Sequence, residues 1–414
     1  MQTRKLAGTG AGPSAGAFRV TIHGVAMKVL LDYRPALRDR TGVGEWVHQL
    51  AQHLLAHTSS EAQNAAEFGL TLWTSSWRDR PTPASVADLE GATIVDRRIP
   101  VRPLTWAWNR AGWPNVETLT SRSFDIVHST SPLLLPSRSG LRVCTIYDLD
   151  FLAHPERTWA EMRRDYPRLA RAHAARADGI VTISDHSRRQ VLRMLEVEPA
   201  RVVVCRPGVP SWAAAAAPSQ RTGPDGYILF VGTLEPRKNI GGLLAAYRHL
   251  VDRDPGTPRL VLAGRVTPAA GAWVAQAQAP PLAGRVDVLG YVADERRSAL
   301  YHGARVLVLP SFEEGFGLPA LEAMALGVPV VASTSGALPE VVGSAGLLVE
   351  ATDTRALADA IRAVVSHAAL WAELRQNGLA RSSAFKWPEA AAALLLAYGG
   401  WLDRARKNAP AGRT

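Results

Sequence analysis

The chain carries only two cysteines in 414 residues, Cys144 and Cys205. Both sit inside strand-like apolar runs, which argues against a disulfide framework and fits the reducing cytoplasm. No apolar run approaches the ~20 residues needed to span a bilayer. The N-terminal stretch is rich in Ala and Gly without an apolar segment, unlike a secretory signal. Acidic residues are in deficit: 37 Asp and Glu face 47 Lys and Arg, a formal net charge of +10. A basic chain suits nucleic acid, an anionic membrane surface or an anionic substrate, and a GC-rich genome also raises arginine. Zinc-finger spacing and the aromatic-basic strand pattern of an RNA-binding sheet are both missing, so nucleic acid is not an expected partner. No strand runs into G-x-G-x-x-G, which disfavours a dinucleotide oxidoreductase. Gly8-Thr9-Gly10-Ala11-Gly12 has no strand before it and the wrong spacing.

What is present reads as α/β. The length exceeds a typical domain of ~150 residues, so two domains are expected. Runs such as KVLLDY (28–33), FDIVHST (124–130), LRVCTIYDL (141–149), GIVTIS (179–184), YILFVG (227–232) and VPVVAS (328–333) are continuously apolar, as strands buried on both faces are. Helical patterns fall between several of them. One has Val43, Trp46, Val47, Leu50 and Leu54 on a single face, and another starts with Ser187 and Gln190 as a capping box. Asn239 and Asp353 read as N-caps of two more. Repeated strand–turn–helix units predict doubly wound, Rossmann-like sheets. Residues 1–26 are low in complexity and read as a disordered extension. Ser211 to Gly226 is a composition break, the expected interdomain linker.

The most informative stretch is PSFEEGFGLPALEAMALGVPVV, residues 310–331. A buried strand runs into Glu314-Gly315-Phe316-Gly317. A helix follows from Pro319, with Gly327 past its end. A small-residue loop at a helix N-terminus presents N–H groups and a positive dipole end to a phosphate. Glu314 and Glu322 are better suited to sugar hydroxyls. Upstream, Arg237 and Lys238 stand beside a strand end and ahead of the Asn239 cap, as a diphosphate clamp would. The alternatives are a glycine turn needed only for positive φ, and two solvated cations.

In the first half, Gly42 and Gly44 form a turn after the first strand. His128 and Tyr147-Asp148 close two others, where ligands of such sheets collect. Asp148-Leu149-Asp150 also spells a short metal-binding pattern. Three-residue patterns recur by chance, so it is not read as a metal site. Residues 102–113 interleave Trp106, Trp108 and Trp113 with Arg102 and Arg110. That mixture suits a lipid headgroup interface or sugar stacking, or a solvated helix face over core tryptophans.

The frame from Glu314 to Val331 resembles the signature of glycosyltransferase family 4, with Leu326 where Cys is frequent. TGVGEWVHQL, from Thr41, resembles that family's first cleft loop. GTLEPRKN resembles its phosphate segment, with Thr233 where Arg is frequent. The resemblance runs nearly the whole length from Lys28. It implies the GT-B fold, two Rossmann-like domains facing across a cleft. Domains are expected at 27–215 on the acceptor side and 216–388 on the donor side, with a terminal helix, 389–414, crossing back to the first.

It further implies retaining transfer of a hexose from a nucleotide-sugar donor, with no cofactor and no required metal. Glu314, His128 and Asp148 become the candidate catalytic groups. Arg237, Lys238, Gly315, Phe316 and Gly317 would hold the diphosphate and Glu322 the ribose. Gly290, Tyr291 and Val292 would meet the base, and Gly42 and Gly44 line the cleft loop. The family commonly has His where Tyr147 stands, which leaves the histidine assignment open. Mannosyltransferases of bacterial polysaccharide or lipopolysaccharide synthesis are the nearest in pattern. GDP-mannose is therefore the first expected donor, a UDP-hexose the second, and a glycan or lipid-linked glycan the acceptor. Such an enzyme would be cytoplasmic, at the inner face of the plasma membrane, with peripheral contact to anionic lipid. A nucleotide-sugar epimerase of the same form and a catalytically idle sugar-nucleotide binder are the alternatives.

Overall fold

The computed structural model describes residues 27–37, 40, 42–60, 68–158, 160–216 and 226–408. The expected disordered extension, 1–26, lies outside them. The chain builds two sheets, and among the described residues every strand pairing in both is parallel. The first contains β1 (Met27–Asp32), β2 (Phe68–Ser75), β3 (Thr93–Arg97), β4 (Ile126–Ser129), β5 (Leu141–Ile146), β6 (Gly179–Thr182) and β7 (Val202–Val204). Their order is β3-β2-β1-β4-β5-β6-β7. The second contains β8 (Tyr227–Val231), β9 (Leu260–Ala263), β10 (Val286–Gly290), β11 (Ala304–Leu309), β12 (Val330–Ser333) and β13 (Leu347–Val349), in the order β10-β9-β8-β11-β12-β13. Strand order reverses between β1 and β4 and again between β8 and β11. Such switch points are where doubly wound sheets take ligands.

The continuous apolar runs are explained by burial on both faces. Strands β4, β6, β9, β11 and β12 have every residue buried. Local capping also follows the sequence. The Asn239 side chain accepts from Gly242 N–H at the start of the helix Ile240–Arg253, and Asp353 accepts from two amides at Thr354–Ser366. One cap is corrected. The helix Asp185–Leu195 starts at Ser184, whose side chain accepts from Ser187 N–H, rather than at Ser187. Strand β6 ends at Thr182, and the helix is capped three residues earlier than the Ser187/Gln190 pattern indicates.

The expected linker is not featureless, because Ser211–Ala215 is helical. Residues 217–225 lie outside the described set. The chain crosses between the halves twice, and the crossings lie side by side. Val209 N–H donates to Phe385 C=O at 3.2 Å. A Cβ on Gly208 would come within 2.3 Å of Trp387 N, so only glycine permits this approach. The last helix, Trp387–Asn408, packs on the first half. Trp401 covers Gly179 of β6 so tightly that a Cβ there would meet its ring at 2.4 Å. No described helix is long and apolar enough to cross a membrane.

Candidate active site between the two sheets

A cavity of about 400 Å³ lies where the carboxyl ends of the two sheets face each other. Gly42, Tyr147 and Asp148 line it from the first half, and Lys238, Glu314 and Glu322 from the second. Its size is within the usual range for small-ligand sites.

The second half supplies a compact charged cluster. Pro236–Lys238 is a short 3-10 turn after β8, ahead of the Asn239 cap. Lys238 Nζ donates to both oxygens of Glu314, at 2.6 and 2.8 Å. Arg237 approaches Glu314 at 3.6 Å and pairs with Glu235 at 2.8 Å. Ser311 Oγ donates to Glu314 at 2.7 Å. Burial would raise the Glu314 pKa, but Lys238 and Arg237 overcome it and hold the carboxyl below its usual value. Burial would lower the Arg237 pKa. Asp148, then Glu314 and Glu235, overcome that and raise it. Asp148 comes from the opposite half, so the field at Arg237 is assembled across the cleft.

The loop Gly315–Gly317 turns into the helix Leu318–Ala325. Gly317 has φ +98 and ends the loop in the left-handed region. Phe316 is buried, with its ring edge-on to Phe385. That leaves the backbone of 315–317 at the cavity wall, at the positive end of the helix. Gly315 is required for a different reason. A Cβ there would lie 2.3 Å from the Tyr147 carbonyl oxygen of the first half.

Glu322 sits one turn into the helix. It accepts from Tyr301 Oη at 2.6 Å and lies 4.0 Å from Arg297. Arg297 is buried, stacks over Trp212 at 5.3 Å, and donates to Arg40 C=O of the first half at 3.0 Å. Neither Arg297 nor Tyr301 stood out in the sequence. A polar residue in an amphipathic helix carries no local sign that its neighbours are 200 residues away.

Of the other expected site residues, Tyr291 and Val292 line the cavity, whereas Gly290 closes β10 and does not. Gly42 lines it with φ +54. Gly44 is buried in the first turn of Val43–Ser60 and is not a lining residue. Asp148 lines it. Its carboxylate accepts from Asp150 N–H, while Asp150 itself is buried beside Arg157 at 3.4 Å. Among the described residues no three His, Cys, Asp or Glu side chains gather as metal ligands do.

His128 is a correction. It lies one residue before the end of β4, so its side chain leaves through a sheet face rather than beyond the strand end. It is fully buried between Tyr398 Oη at 2.6 Å and Thr145 Oγ1 at 2.8 Å. Burial pushes its pKa down to about 3. It does not reach the cavity and acts as a neutral core histidine.

Residues 70–211 match the family described as Glycosyltransferase Family 4, and residues 225–367 match Glycosyl transferases group 1. O-antigen chain mannosyltransferase B of Escherichia coli is 33% identical over 283 residues, spanning 66% of this chain and 74% of that protein. The chain belongs to glycosyltransferase family 4. This family-4 glycosyltransferase is an enzyme that transfers a hexosyl group. It is also 33% identical to D-inositol 3-phosphate glycosyltransferase of Actinosynnema mirum, over 54% of this chain and 58% of that one. Its fold is GT-B. The sucrose-phosphate synthase of Thermosynechococcus elongatus superposes over 93% of the chain and 100% of its own, with TM-score 0.70 and 22% identity.

Proposed function

We propose that this glycosyltransferase moves mannose, with retention of configuration, from GDP-mannose to a glycan or lipid-linked glycan of a bacterial surface polysaccharide. A UDP-hexose is the second candidate donor. The observation that carries the proposal is the cluster of Lys238, Arg237 and Glu314 at the Gly315–Gly317 loop, inside the cavity between the sheets. The departing nucleoside diphosphate gathers negative charge. Two cations and a row of amides stabilise that charge better as it develops, which is the condition for catalysis. Arg237 and Lys238 hold the diphosphate. They supply the compensating charge, so the reaction requires no metal ion. Glu322, oriented by Tyr301, holds the ribose, and Tyr291 and Val292 face the base. Glu314 is released from Lys238 as the diphosphate takes its place, and then faces the sugar hydroxyls or the cationic sugar. Asp148, on the opposite wall, orients the acceptor hydroxyl. That hydroxyl attacks from the face the diphosphate leaves and gives its proton to the departing phosphate oxygen, so no protein nucleophile takes part. Water is kept out by the contact of Gly315 with Tyr147.

The mannosyl assignment rests on the likeness to the E. coli O-antigen enzyme. It is tested by thermal shift of the purified chain with GDP-mannose, UDP-glucose, UDP-galactose, UDP-N-acetylglucosamine and their diphosphates, each with and without EDTA. Stabilisation by the guanine pair alone, unchanged by EDTA, is expected. A response only to the uridine series moves the donor to a UDP-hexose. Loss of the response in EDTA overturns metal independence. Interconversion of two free nucleotide sugars without an acceptor would make the protein an epimerase.

A further inference from the structure

The helix Val101–Ala111 has two unlike faces. At about 100° per residue, Arg102, Trp106 and Arg110 fall within one narrow arc. Leu104 and Trp108 point the opposite way. The burial follows this arithmetic. Leu104 and Trp108 are buried in a core cluster with Trp73, whereas Arg102 and Arg110 are exposed and Trp106 is 65% exposed. Gly112 then caps the helix in the left-handed region and delivers Trp113, 61% exposed. Trp77, 69% exposed, follows β2 close by, since Ser75 Oγ donates to the carbonyl of Ile99. Trp77, Trp106 and Trp113 are the exposed tryptophans among the described residues. Trp106 and Trp113 lie on and just past this helix, and Trp77 lies two residues past the end of β2.

Charge is equally one-sided. From Arg97 to Trp113 the sequence holds Arg97, Arg98, Arg102 and Arg110 and no acid. Among the described residues the guanidinium groups of Arg98, Arg102 and Arg110 have no ion-pair partner. A merely solvated helix face needs no large apolar rings. Exposed indoles beside unpaired arginines are the composition of a bilayer interface, where rings sit at headgroup level and cations meet phosphate.

This surface lies at the carboxyl end of the first sheet, as the cavity does. Arg34 stacks over Trp108 at 5.1 Å and pairs with Asp32, the last residue of β1. The next turn along carries Gly42 into the cavity wall.

We infer that Trp77, Trp106 and Trp113 with Arg98, Arg102 and Arg110 form a docking surface for the anionic face of a lipid bilayer. Docking there brings a lipid-linked acceptor to the acceptor side of the cleft; this use rests on the proposed acceptor class. The test is co-sedimentation of the full chain with vesicles of phosphatidylcholine alone or mixed with phosphatidylglycerol, at low and high salt. The wild type is expected to bind the anionic vesicles selectively and to lose affinity with salt. Arg102→Gln with Arg110→Gln should weaken binding about 30-fold, roughly fivefold per arginine. Trp106→Ala with Trp113→Ala should weaken it with the salt dependence retained. Both double variants should keep wild-type stabilisation by nucleoside diphosphate and wild-type transfer to a soluble acceptor. That readout separates failure of this surface from failure of the donor site. Equal binding to both vesicle types, or variants that bind like wild type, would overturn the inference. So would absence of vesicle binding together with self-association lost in Trp106→Ala/Trp113→Ala, or with selective capture of a soluble anionic glycan.

Discussion

Glu314 already occupies Lys238 and Arg237, so if those two cations take the diphosphate as proposed, donor binding is an exchange of one anion for another. The substitution Glu314→Gln keeps the shape and the Ser311 hydrogen bond and removes the charge. Nucleoside diphosphate is then expected to bind more tightly, while transfer falls by about 10²-fold or more. Calorimetric affinity and turnover measured on the same variant check both signs, and weaker diphosphate binding would rule out the exchange. Lys238→Ala should weaken diphosphate binding by about 10- to 100-fold, the loss of a charge-assisted hydrogen bond. The two titrating groups described above also give a pH dependence with a definite sign. The Glu314 carboxyl is depressed in the folded state. Its contribution is therefore present above the ordinary carboxylate range and lost as pH falls through the depressed value. His128 is held neutral down to about pH 3. Below about 6.5 the unfolded chain gains a proton that the folded chain refuses, so stability falls between those values. Melting temperatures from about pH 7 to pH 4 should fall more steeply for wild type than for His128→Gln. Parallel curves would mean His128 protonates in the fold.

Two glycines of one loop make opposite predictions at the level of the element. At Gly317 a Cβ meets the tip of Leu338, a side chain that can move, but the backbone sits at φ +98. Gly317→Ala should therefore lower stability by about 1–2 kcal/mol, read as melting temperature. At Gly315 a Cβ meets the Tyr147 carbonyl, which is backbone of the other half. Gly315→Ala should leave each half folded and reduce transfer, because the loop and Tyr147 can no longer close on each other. A Gly315→Ala enzyme with wild-type turnover would show that this contact is dispensable. These glycines were legible in the sequence because a strand-to-helix turn advertises itself locally. The strands were legible for the same reason, through unbroken apolar runs, as were the Asn239 and Asp353 caps. His128 was not. Its partner Tyr398 lies 270 positions away, and a shift of one residue along β4 decides between cleft and core. Arg297 was hidden in the same way, since Trp212, Arg40 and Glu322 reach it from three distant segments.

Across the whole molecule, the halves are held together by polar contacts around the cavity. Glu340 accepts from the amides of Asp185 and His186 at 3.0 and 3.1 Å, the open N-terminus of a first-half helix. His186 Nε2 meets Glu313 at 2.7 Å. Ser187 Oγ bonds the Tyr147 carbonyl and lies 3.3 Å from that of Gly315. Glu340→Ala is expected to open the pair, because it leaves those two amides without their acceptor. Small-angle scattering should give a larger radius of gyration than wild type without nucleotide, and a smaller difference once nucleotide is bound. Identical radii in both conditions would place the closing force elsewhere.

The terminal helix adds a constraint on how the chain is made. Tyr398 and Trp401 fill the face of the first sheet against His128 and Gly179, although β1 to β7 end at Val204. On the ribosome, the second sheet has all its strands in hand after Val349, while the first sheet waits about fifty residues longer for its last core residues. The half translated first is thus the half completed last. Until the helix Trp387–Asn408 is made it presents an apolar face to its surroundings, the stage at which a nascent chain most needs a chaperone.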